Sequence, residues 1–114
     1  MTTITFHVRA GRITGFTSRG HSGWGDAGGD IVCAAVTSAV RLVEATVNDV
    51  LGLAAAVKVT EEPSVSLRLP GGLDEGTEDT CQTLLAGMLV YFVQLRDEYP
   101  DFLEVLEDET AARP

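Results

Sequence analysis

The 114-residue sequence predicts an α+β fold: a ββαββα plait, with an antiparallel sheet, two long helices on one face and a short C-terminal edge strand. Three observations predict it. The N-terminal residues alternate polar and apolar, the period of a half-buried strand. Two long stretches repeat apolar residues every three or four positions, the period of an amphipathic helix. Strand-like pairs precede each of those stretches, so the chain reads as two ββα units, and hairpins followed by helices pack as a two-layer sandwich.

The elements follow in order. Residues 3–9 alternate through Ile4, Phe6 and Val8, Ala10-Gly11-Arg12 reads as a turn, and Ile13–Thr17 completes a hairpin. A glycine-dense loop follows, from Gly20 to Gly29. Asp30 then reads as the N-cap of a helix reaching about Leu51, with Val32, Val36, Ala39, Val40, Val43, Val47 and Val50 on its buried face. Residues 55–62 and 64–69 read as two further strands divided by Pro63. Thr77 is placed to cap a second helix whose buried face carries Leu84, Leu85, Met88, Leu89, Phe92 and Leu95, and which Tyr99-Pro100 ends. Phe102–Leu106 supplies the short edge strand, and residues 107–114 read as an acidic, frayed tail.

One domain suits this length. No apolar run reaches the ~18 residues of a membrane span, and the alternating N-terminus lacks the form of a signal peptide, so the expected location is the cytoplasm and no membrane is expected as a partner. Two cysteines without a CxxC pair suggest neither a disulfide framework nor zinc, and no metal or cofactor is expected. Residues 1–60 carry five basic and four acidic groups, a net of +1; the rest carry three basic and thirteen acidic, a net of −10. Such an acidic chain repels phosphate backbones, so direct nucleic-acid binding is not expected, whereas a basic polypeptide is accommodated.

The candidate chemistry is concentrated between His21 and Cys33. With Asp30 as N-cap, Cys33 would sit in the first helical turn, where unpaired amides and the helix dipole stabilise a thiolate. His21, twelve residues earlier and before a loop able to fold back, would serve as its base. Amides of the same helix start would then receive an oxyanion. A cysteine in a helix's first turn is also often a small buried residue, and a loop histidine is often only surface. Cys81, beside the Leu84/Leu85 stripe, reads as core, and His7 as structural or exposed. Gly23-Trp24-Gly25-Asp26-Ala27-Gly28 matches a dinucleotide-binding glycine pattern, but the strand before it is polar on alternate positions, unlike a buried parallel strand. Gly25-Asp26-Ala27-Gly28 also fits the loop of KH domains, although here it follows a strand and carries an aspartate.

Gly20-His21 followed by Asp30-Ile31-Val32-Cys33-Ala34-Ala35-Val36 resembles the signature of the ribosomal-processing cysteine protease Prp family. The resemblance extends to the opening hairpin, to Thr83–Leu89 and to Tyr99-Pro100. It implies a bacterial α+β homodimer and an endopeptidase that trims a short N-terminal extension from a large-subunit ribosomal protein precursor. His21 and Cys33 are its implied catalytic pair, with Asp30 the motif aspartate in support. Ser22, Gly23, Trp24, Gly25, Asp26, Gly28 and Gly29 belong to its implied substrate loop. Thr37 stands where the family is associated with serine, and retains a hydroxyl. The competing function is a non-catalytic, ribosome-associated assembly or interaction module, which an inert Cys33 would favour.

Overall fold

The computed structural model describes residues 1–20, 27–60 and 64–109, apart from the side chains of residues 27, 28 and 30. Strands β1 (Thr2–Arg9) and β2 (Arg12–Arg19) precede helix α1 (Ala27–Glu44), which continues as a π-helical turn, Ala45–Val50. Strands β3 (Ala56–Thr60) and β4 (Ser64–Arg68), helix α2 (Glu75–Glu98) and β5 (Leu103–Glu109) follow. The predicted ββαββα order with a final strand is therefore the observed one. The sheet runs β3-β4-β2-β1-β5, antiparallel except for the parallel pair β1–β5.

The opening hairpin is tight because Ala10 and Gly11 both take positive φ, 51° and 74°, the geometry of a two-residue turn that matches strand twist. Alternation then decides the faces. Ile4, Phe6, Phe16, Leu67 and Leu103 are buried on one face against Val32, Val36, Val40, Val43 and Val47 of α1 and Cys81, Leu85, Met88, Phe92 and Leu95 of α2. Phe6 lies at the centre, with its ring centroid 6.3 Å from those of both Phe16 and Phe92. The register brings Thr3, Thr5, Thr17, Ser64, Ser66 and Lys58 together on the opposite, polar face. There His7 Nε2 lies 2.8 Å from Thr17 Oγ1 and Nδ1 lies 3.6 Å from Asp108, a structural role on the open face.

A β-bulge interrupts β1–β2 pairing between His7 and Val8, leaving Thr14 as the extra residue. Its neighbour Ile13 is served from the other layer: Gln82 of α2 accepts from the Ile13 amide and donates to its carbonyl, both at 2.8 Å. Arg12 is ion-paired to Glu78 one turn earlier on α2. These contacts tie the second helix to the hairpin.

Several local expectations change. Helix α1 begins at Ala27, so Asp30 lies inside its first turn and is not its N-cap. Glycine lowers helix propensity by about 1 kcal/mol relative to alanine, so Gly28-Gly29 reads as loop in sequence; Gly29 is buried, and tertiary packing overrides propensity there. Val50 is 77% exposed instead of buried. The π turn moves hydrogen bonds from i+4 to i+5 and carries Val50 off the apolar stripe, while Leu51 and Leu53 pack against the core in its place. Helix α2 is capped by Asp74 and not Thr77: Asp74 Oδ1 accepts from the Thr77 amide at 2.9 Å, and the Thr77 hydroxyl donates to Asp74 Oδ2. Strand β5 extends to Glu109, so residues 107–109 are sheet and not tail. Backbone pairing to β1 as far as Val8↔Glu109 is indifferent to side-chain charge. The helical stretch Ile31–Val50 is long and apolar enough to cross a membrane, although no single apolar run is; here its valine stripe packs in the core.

Candidate active site

Helix α1 presents Cys33 from its second turn, half-buried. The α-helical pattern commits the Cys33 amide to the carbonyl four residues earlier, so that amide is not an unpaired first-turn donor. The dipole contribution falls off within the first turn, and so it acts more weakly on Cys33 than the sequence-based placement predicts.

Cys33 opens onto a cleft of about 320 Å³ whose walls include Thr2, Ser18, Gly20, Val36, Thr37, Val59, Thr60 and Ser64, with Val65 completing it. Three pieces of chain converge here: the start of β1, the end of β2, and the facing residues of β3 and β4. Apolar Val36, Val59 and Val65 lie with the hydroxyl-bearing Thr2, Ser18 and Thr37, a mixture suited to an extended peptide, which offers both side chains and backbone hydrogen-bonding groups. Thr37 is exposed and lies one helical turn beyond Cys33 on the same wall.

Gly20, immediately before His21, has φ +93°, and a Cβ there would lie 2.6 Å from the Met1 carbonyl oxygen. Only glycine permits both that backbone conformation and that approach. The chain therefore leaves β2 for His21 from a fixed point on the cleft wall. His21, Ser22, Gly23, Trp24, Gly25 and Asp26 themselves lie outside the described residues, as do the surroundings of Gly28 and the side chain of Asp30. The structure thus brings Cys33, Thr37 and Gly20 together and places Gly29, buried, in the first turn of α1. Thr2, Ser18, Val59, Thr60, Ser64 and Val65 are cleft residues that sequence reasoning missed. They come from four strands, and only the sheet register brings them to one helix.

Cys81 has the opposite environment. It is fully buried on the inner face of α2, and burial pushes its thiol pKa up, with Glu78 adding to the effect and Arg12 opposing it. A thiol held protonated in apolar surroundings is a poor nucleophile. Among the described residues no group of three or more His, Cys, Asp or Glu side chains could hold a metal ion.

Known proteins share this architecture. The family model described as "Cysteine protease Prp" matches residues 1–104. The structure of SMU.848 from Streptococcus mutans superposes with a TM-score of 0.83 at 21% identity, over 96% of this chain and 96% of that one. The essential ribosomal processing protease Prp from S. aureus, in complex with a covalently linked product peptide, superposes with a TM-score of 0.74 at 24% identity, over 95% of this chain and 100% of that one. The same protease with a substrate peptide gives 0.74 at 23% identity, with the same coverage of both chains. At these identities the superpositions establish the fold. No curated protein gave a significant match.

Proposed function

The chain belongs to the Prp family of cysteine proteases, and from that premise we propose that it removes a short N-terminal extension from a large-subunit ribosomal protein precursor, with Cys33 as nucleophile and His21 as general base. The observation that carries this reading is the half-buried Cys33 on the wall of a peptide-sized cleft, beside the glycine that leads into His21.

In this mechanism His21 takes the Cys33 proton and the thiolate attacks the scissile carbonyl carbon. The tetrahedral intermediate collapses with cleavage of the C–N bond, and the imidazolium protonates the departing amine. Water, deprotonated by the same histidine, then hydrolyses the thioester and restores the thiol. Because Cys33 stands beyond the helix start, the imidazolium is the principal partner that stabilises its thiolate. Asp30 supports that pair, Thr37 supplies a hydroxyl one turn from the sulfur, and the segment through Ser22–Gly29 contacts the substrate.

The protein acts in the cytoplasm as a homodimer without direct contact to nucleic acid. An apolar groove of about 340 Å³ between α1 and α2, lined in part by Ala39, Leu42, Leu84, Gly87 and Tyr91, supports the dimer. Helix α2 carries no charged residue from Thr80 through Leu95, although Val90 and Tyr91 are exposed. Uncharged, exposed apolar helix faces mark interfaces.

The test is to incubate the protein with the ribosomal precursor of its own organism, with the isolated extension peptide and with a scrambled peptide. The precursor and the native peptide should each be cut at one bond and the scrambled peptide left intact. Equal cutting of all three would remove the specificity assigned here, and cleavage dependent on added RNA would favour the assembly-module reading.

A further inference from the structure

The Cys33 cleft does not end at Thr37. A second cavity of about 330 Å³ shares Ser18, Val36, Thr37, Val59 and Val65 with it and continues along α1 to Val40, Arg41 and Glu44. Together they form one groove between α1 and the inner face of the β3–β4 edge. Val59, on that inner face, is 71% exposed because neither helix covers it, so the groove floor is uncovered apolar sheet. Arg41 and Glu44 lie eight and eleven residues after Cys33, rises of roughly 12 and 16 Å. An extended peptide advances ~3.3 Å per residue, so its third or fourth residue from the scissile bond lies beside Arg41 and its fifth, roughly, beside Glu44.

That end is charged. Arg41 is exposed and Glu44 half-buried, and among the described residues neither side chain has a hydrogen bond or ion pair. A carboxylate on a groove wall without a side-chain partner is open to a charge-assisted hydrogen bond from an incoming cation. We propose that this groove is the extended-chain subsite of the protease and that Glu44 selects a basic substrate side chain about five residues from the scissile bond, on one side of it. The inference rests on Cys33 being the nucleophile and adds a specificity determinant remote from it. Arg41, nearer Cys33 and more exposed, disfavours a cation at the third or fourth position.

The experiment uses the full chain and paired peptides spanning the cleavage site. One pair differs in length, with two or six residues on each side of the bond; the other differs in charge, with Lys or Glu at the fifth position. KM and kcat are measured for wild type, Glu44→Lys and, as an exposed apolar control outside the groove, Val50→Lys. Wild type should favour the long Lys peptide over the long Glu peptide by about five-fold in KM, the scale of an exposed ion pair. Glu44→Lys should abolish or reverse that preference while leaving kcat and the short peptides unchanged, and Val50→Lys should behave as wild type. A preference that Glu44→Lys does not alter, or an equal change in KM for the short peptides, overturns the subsite while cleavage itself upholds the protease. If wild type cuts nothing, peptide affinity is read by fluorescence anisotropy: a Glu44-dependent preference keeps the groove and removes the protease, and its absence overturns both.

Discussion

The two cysteines of this chain differ in what surrounds them. Cys33 is half-buried beside a cleft, whereas Cys81 is sealed on the inner face of α2 with its thiol held protonated by burial. Iodoacetamide at neutral pH should therefore modify Cys33 rapidly and Cys81 only on unfolding. Because Cys33 sits in the second turn of α1, its reactivity should depend on His21 more than on the helix dipole. His21→Ala should slow the alkylation of Cys33 at least ten-fold and lower turnover by roughly two to four orders of magnitude. A Cys33 that reacts equally fast without His21 would assign its activation to the backbone. The contrast between the cysteines was legible in sequence, since an apolar stripe beside Cys81 can be read directly. The exact turn that holds Cys33 was not, because glycine propensity argues for a loop where packing extends the helix.

Elements ended where capping chemistry was unambiguous and drifted where two signals competed. Asp74 and Thr77 are both good N-caps three residues apart, and in the structure they cooperate: Asp74 caps and Thr77 returns a hydroxyl hydrogen bond to it. The hydrogen bond from the Thr77 amide, with that of its hydroxyl, holds the Asp74 carboxyl below its ordinary 3.8. A carboxylate whose folded pKa is depressed stabilises the fold above its unfolded pKa and loses that contribution as pH falls through the folded value. Asp74→Ala should thus lower the melting temperature at pH 7, and the gap to wild type should narrow below about pH 4. Asp74→Asn, which retains an accepting oxygen, should lose less at pH 7. A gap independent of pH would show that the charge of Asp74 contributes nothing to the cap. The extension of β5 to Glu109, its parallel pairing and the π turn were the features least legible in sequence. Parallel pairing with β1 depends on backbone groups that carry no sequence signal, and one extra residue per turn cannot be read from a stripe of valines.

At the scale of the whole molecule, the sheet gives one face to the core and keeps the other polar, and the cleft forms where α1 leaves the β3–β4 edge uncovered. The order of elements and the core followed from hydrophobic periodicity; the cleft walls did not, since Ser18, Val59 and Val65 meet Cys33 only through the order β3-β4-β2. The uncharged α1–α2 face predicts self-association: Leu42→Glu, at a 66% exposed position, should leave folding intact and shift the sedimentation coefficient from dimer to monomer. A variant that sediments as wild type would move the seam elsewhere.

The most direct test of the central claim compares Cys33→Ala with Cys81→Ala on the native precursor, with the product read by intact-protein mass spectrometry. Cys33→Ala should release no N-terminal peptide while keeping the wild-type far-UV circular dichroism. Cys81→Ala, which removes only a small buried side chain, should cut at the same bond as wild type. Cleavage that survives Cys33→Ala would contradict the assignment of Cys33 as the nucleophile.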